Sequence, residues 1–212
     1  MSNWMIILIG VGLAVVLAVA VVGPMMEKGM VVERAYIAMG PANKITVVNL
    51  ETDRVMRELK GVENPHGVAA TPDGKLIFAG SRSGGDRVIV FNARTGRQMA
   101  KIPVAEGMHH LIADPQGHYV FVTVSSGQLA VIDVAQMEVV KRIPTGAGAN
   151  YVETDREGRY AFVTNTMAGT LSIIDIESLE VIEDINVGDK PAHIAVSPDG
   201  RTVYVPNSGS NN

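Results

Sequence analysis

The 212 residues include no cysteine. That excludes disulfides, thiolate metal sites, haem attached through a C-x-x-C-H motif and a lipid on an N-terminal Cys. It fits either side of a bacterial membrane, so it assigns no compartment. Aromatic residues are scarce at 5%, whereas Val, Ile, Ala and Gly abound. Such a balance builds many short strands joined by tight turns rather than packed helices. A dense Lys/Arg stripe is also missing, and a net charge of -4 with pI near 5.7 leaves no basic field to hold a polyanion. Nucleic acid is therefore not an expected partner. The chain carries no serine nucleophile elbow, phosphate-cradling loop, H-E-x-x-H or EF-hand loop. Its carboxylate pairs, such as Glu183-Asp184, are adjacent on an expected strand, so they face opposite ways and cannot act together as acid and base.

What is present begins with one apolar run. From Met5 to Val22 there is no charged or strongly polar side chain, and the run ends at Gly23-Pro24. As a helix it reaches about 27 Å, enough to cross a thin bilayer, and Trp4 stands just outside it as an interfacial anchor. Ala18-Val19-Ala20 offers the small-x-small pattern of a cleaved signal peptide. The absence of Lys or Arg before the run, and the apolar Val21 and Val22 after the site, favour an uncleaved anchor. The expected organisation is a transmembrane helix over 1–24, a linker over 25–33 and a second region over 34–212.

That second region repeats. A Pro-Asp-Gly type of turn recurs at Pro72-Asp73-Gly74, Pro115-Gln116-Gly117, Arg156-Glu157-Gly158 and Pro198-Asp199-Gly200, with glycines 43, 41 and 42 positions apart. A second marker, an apolar strand closed by Asn or Asp, recurs at Asn49, Asn92, Asp133 and Asp175 with spacings 43, 41 and 42. Two markers in one phase indicate a repeat of about 42 residues, the size of a four-stranded propeller blade. In the second unit the strands are expected over 66–71, 76–80, 87–91 and 98–104. A lone four-stranded unit cannot bury both faces, so units stack radially into an all-β propeller.

The stretches Ala161-Phe162-Val163-Thr164-Asn165, Tyr204-Val205-Pro206-Asn207-Ser208-Gly209-Ser210-Asn211 and Ala195-Val196-Ser197-Pro198-Asp199-Gly200 resemble the Y-V-T-N, N-S-G-S-N and V-S-P-D-G signatures of YVTN-repeat β-propellers. The resemblance runs from about Val32 to the C-terminus. It departs at Phe78-Ala79-Gly80-Ser81 and Phe121-Val122-Thr123-Val124. It implies a propeller on the exported side of a bacterial inner membrane, in the periplasm or outside the cell. Three full blades are expected between partial ones, with only three strands before His66 and two after Lys190. The strand at His193 is expected to complete the first blade, and the count points to a ring of more blades than this chain carries.

In such propellers the first strand lines the channel. His66 and His109 stand eight positions before a turn glycine, His193 seven, and the third unit places Asn150 and Tyr151 there. Together with His110, Arg82 and Asn165 these are the candidate ligand-binding residues of the upper channel face, and Asp86, Gln128 and Asn207 share that face. The expected role is a scaffold for a partner protein or small ligand, with no cofactor. A competing reading has His66, His109 and His110 ligate a metal or haem iron, as the relation to cytochrome d1-type and quinoprotein-associated propellers implies. A third makes the chain an accessory subunit of a respiratory membrane complex.

Overall fold

In the computed structural model the described residues are 19–27, 30–83 and 85–210. Four antiparallel sheets follow one another along the chain, each of four strands in sequential order. The first contains β1 (Val19–Glu27), β2 (Met30–Met39), β3 (Lys44–Asn49) and β4 (Arg54–Lys60). The second contains β5 (Pro65–Ala70), β6 (Leu76–Ser81), β7 (Arg87–Asn92) and β8 (Gln98–Pro103). The third contains β9 (Met108–Ala113), β10 (Tyr119–Val124), β11 (Gln128–Asp133) and β12 (Glu138–Pro144). The fourth contains β13 (Ala149–Thr154), β14 (Tyr160–Asn165), β15 (Thr170–Asp175) and β16 (Glu180–Asn186). A fifth unit starts with the short pair β17 (Ala195–Val196) and β18 (Val203–Tyr204). The innermost strands pack in succession, β1 on β5, β5 on β9, β9 on β13 and β13 on β17.

The turn markers fold as their chemistry requires. Gly74, Gly117, Gly158 and Gly200 take φ of 68 to 74°, a region that costs a glycine nothing, and each amide bonds back to the carbonyl three residues earlier. After each third strand the side chain of Asn49, Asn92, Asp133 or Asp175 accepts the backbone N–H three residues on. These Asx turns reverse the chain into the outer strand.

Packing explains why the middle strands read as unbroken apolar runs: both faces are covered. Ile77 and Ala79 point into a core with Tyr36, Ile45 and Val47 of the first blade, while Phe78 between them points into a core with Val120, Val122 and Ile132 of the third. Phe121 then faces Val152, Val163 and Ile174 of the fourth. Each seam between blades is thus a sandwich core, and the period-two alternation of a strand serves two seams at once.

Two expectations need revision at the ends. The tail of the apolar run and the following linker, Val19 onward, form β1 and the start of β2, and Gly23-Pro24 falls at an irregularity between Val22 and Met25 rather than at a helix end. A proline lacks the ladder donor, so a bulge is where a strand tolerates it. The rest of the expected anchor lies outside the described residues, and among those described no helix is long and apolar enough to cross a membrane. The first blade is completed by β1, not by the strand at His193: that strand, β17, pairs only with β18 and packs against β13.

Candidate functional site

Three of the innermost strands carry a register irregularity near their start: between Pro65 and Gly67 in β5, between Met108 and Leu111 in β9, and between Ala149 and Val152 in β13. His66, His109, His110 and Tyr151 sit in these bulges, which turn them out of the pleat, and His193 lies just ahead of β17. A line of rings results. His66 and His109 meet edge to face with centroids 4.5 Å apart, and His109 lies 5.7 Å from Tyr151. Tyr151 stacks on His110 at 4.2 Å and touches His193 at 4.2 Å. Five rings from four consecutive units therefore converge near the starts of the innermost strands. His118, the remaining histidine, lies on the β9–β10 turn beside Tyr119.

Two threonines hold the bulges. The Thr123 hydroxyl accepts the His110 N–H at 2.9 Å and donates to the Asn150 carbonyl at 2.6 Å, across the seam. One unit later Thr164 accepts from the Tyr151 N–H at 3.2 Å and donates to the Ala192 carbonyl at 2.6 Å. Both are fully buried. Thr164 belongs to the Y-V-T-N-like stretch and Thr123 keeps the same phase in the stretch that departs from it, the sequence signal for this role. In the second blade Gly80 occupies the equivalent place, and the seam is closed differently. A Cβ on Gly67 would overlap Leu111 Cδ1 and lie 3.2 Å from the His109 carbonyl, and one on Gly80 would lie 3.1 Å from Leu111 Cδ1. Leu111 thus plugs the space that two missing side chains leave.

Three of the imidazoles are held neutral. Burial depresses His109 to about 3, with His66, Arg82, His110 and His193 adding like-charge repulsion. Burial takes His110 down to about 4, opposed by its contact with the Val152 carbonyl, 3.1 Å from Nδ1. His66 is lowered by burial and by Arg82, and burial raises the phenol of Tyr151. The Nδ1 atoms of His66 and His109 are buried without a hydrogen-bond partner.

Other candidates are placed elsewhere. Asn165 is fully buried, and its amide donates to Thr170 at 3.0 Å and Ser172 at 2.8 Å within its own blade. Its job is structural because the sheet consumes its donors. Asn207 is buried likewise and donates to the Val187 carbonyl at 2.9 Å, and Asp86 pairs with Arg87 at 3.2 Å. Glu153, on β13 and not anticipated as a site residue, has its carboxyl raised by burial and accepts the Thr154 N–H at 3.1 Å. Among the described residues no group of three or more His, Cys, Asp or Glu is disposed to hold a metal ion. The donor set of His66, His109 and His110 therefore does not fit an iron or other metal centre.

Several solved structures share the fold. Hydrazine synthase from Kuenenia stuttgartiensis superposes with a TM-score of 0.78 at 22% identity, covering 94% of this chain and 58% of the other. A functionally unknown protein from Desulfotomaculum acetoxidans gives 0.76 at 16% identity, with 82% and 59% covered. The Cps50 (Swd1) beta-propeller domain of Myceliophteria thermophila gives 0.68 at 17% identity, with 83% and 58% covered. The chain thus spans under two thirds of each of these neighbours, and identities this low carry the fold alone. No curated protein matches it in sequence. A family model does match, over residues 31–202, and with the blades, turn markers and Y-V-T-N-like stretches in place the chain belongs to the YNCE-like beta-propeller family.

Proposed function

We propose that this propeller is a scaffold, held at the bacterial inner membrane by its N-terminal apolar segment, that binds a partner protein's loop or a small ligand at the ring-lined end of its channel on the exported side. The observation that carries the reading is the convergence of His66, His109, His110 and Tyr151 at strand bulges with His193 ahead of β17. Bulges that re-aim side chains at a concave surface are a binding-site device. A photo-crosslinking side chain at His193 is expected to capture a partner or ligand, and one at Glu157, on the β13–β14 turn, is not. Capture from Glu157 alone would move the binding surface elsewhere.

The anchor is left with the residues ahead of β1. Met1 to Ala18 as a helix reach ~27 Å, of which the wholly apolar part, Met5 to Ala18, supplies ~21 Å. A crossing of the ~30 Å hydrocarbon thickness therefore sets Ser2, Asn3 and Trp4 at the interface and thins the bilayer locally. In support, no charge interrupts Met5 to Ala18. The full chain should stay in the membrane fraction after alkaline extraction, and Leu13→Lys should release it, because a lysine at the centre of a span costs about 2.5–3.5 kcal/mol on insertion scales. Release of the unaltered chain by alkali removes the anchor from the reading. A cofactor-handling role predicts instead a visible band or bound metal that His109→Ala abolishes.

A further inference from the structure

The charge around the ring cluster is one-sided. Arg82 follows Ser81, which pairs with Pro65, the residue before His66. The loop is pinned there, since Ser81 donates to the Ser83 carbonyl at 2.8 Å and the Asn64 amide donates to the Ser83 hydroxyl at 2.7 Å. Arg82 is exposed and makes no ion pair or hydrogen bond among the described residues, whereas Arg87 nearby is paired with Asp86. The groups that bear on the four imidazoles are Arg82 from the β6–β7 loop, His109 and His110 from β9, and His66 and His193 from their own units. Tyr151 of β13 faces them as a neutral phenol. No carboxylate is among these groups. Glu153, further along β13, is turned to its neighbour's N–H.

We propose that a small oxyanion binds at this end of the channel, between Arg82 and the His66–His109 pair, and supplies the counter-charge the cluster lacks. The proposal rests on the channel end being a binding face and names its ligand class. Arg82 presents a planar fork of donors suited to a carboxylate or an inorganic oxyanion. An anion within ~4–6 Å favours the charged imidazole, so binding draws a proton onto the pair and the buried ring nitrogens gain a charge partner. By linkage the affinity then rises as pH falls through the bound-state pKa, by up to about tenfold per pH unit for one proton taken up, and with His109 starting from about 3 that window opens below pH ~6.

The test uses the full chain in detergent, with imidazole resonances followed by NMR during titration with sodium acetate or sodium sulfate at ionic strength held constant with sodium chloride. Saturable shifts at His66 and His109, tighter at pH ~5 than at pH ~6.5, are expected. Arg82→Ala should abolish them and Arg82→Lys, which keeps the charge but loses the fork, should weaken them. Response to acetate alone assigns a carboxylate ligand, and response to sulfate alone assigns an inorganic or ester oxyanion. No saturable shift with either probe, or shifts that persist in Arg82→Ala, overturns the proposal. Crosslinking at His193 under the same conditions separates the two claims: capture without anion response sinks the anion site and leaves the binding face standing.

Discussion

The Nδ1 of His110 on β9 lies 3.1 Å from the carbonyl oxygen of Val152 on β13, so the ring is fastened across a blade seam. A carbonyl only accepts, which assigns the proton to Nδ1 and leaves Nε2 as the open acceptor under Tyr151. The folded-state pKa, about 4, lies below the ordinary 6.5. As pH falls the unfolded chain therefore takes up its proton first. The contribution to stability is full above 6.5, declines on the way to about 4 and is level below. For this largely buried group the loss is on the order of 3 kcal/mol. Urea unfolding midpoints followed from neutral pH downward should drop through that window, and His110→Gln should flatten the drop. An equal drop in the variant would mean other groups govern acid stability.

Thr123 is the second fastening of the same seam, through hydroxyl contacts to His110 and Asn150. Thr123→Val keeps shape and volume but strands a buried N–H and a buried carbonyl, at a cost of about 1–3 kcal/mol. Thr123→Ser keeps the hydroxyl and should lose less. Thermal or urea midpoints of the two variants check this, and a valine variant as stable as the parent would show that the bonds are replaced by water.

The sequence showed the turns because their chemistry is local: Gly74 needs a positive φ and Asn92 caps its own turn, whatever the rest of the chain does. The middle strands were equally legible, since Ile77-Phe78-Ala79 must face cores on both sides. Ring positions followed from phase, which put His66 and His109 at one point of neighbouring units and His110, Tyr151 and His193 at the next position along. Asn165 misled because phase locates a residue in the unit without saying whether its side chain is spent inside the sheet. Val19 to Val22 misled for another reason. A run of Val and Ala suits a helix in lipid and a buried strand alike, and only pairing with Arg34 to Ile37 in β2 separates the two.

Every outer strand skips one residue in its pairing: Met56 in β4, Met99 in β8, Val140 in β12 and Ile182 in β16. Bulges on edge strands twist the unpaired backbone away from other sheets, but these carry apolar side chains, and Ile182 is 56% exposed. Ile182→Lys should change the unfolding free energy by less than ~0.5 kcal/mol and reduce aggregation on heating, measured by light scattering. A marked loss of stability would show that Ile182 is packed in solution.

Gly67, Gly80 and Leu111 form a single packing unit where the next two seams use Thr123 and Thr164. Gly67→Ala drives a methyl into Leu111 Cδ1 and toward the His109 carbonyl, 3.2 Å away. Overpacking of this kind costs about 1–3 kcal/mol, and Leu111→Ala alone leaves a cavity costing about 2–5 kcal/mol. In the double variant the new methyl partly fills that cavity, so the combined loss should fall short of the sum by at least ~0.5 kcal/mol, the coupling expected of residues in contact. Strict additivity in urea unfolding would place the clash on the His109 backbone instead. The ring of His109 would then shift with it, and the His66–His109 contact would be lost in Gly67→Ala whatever stands at 111.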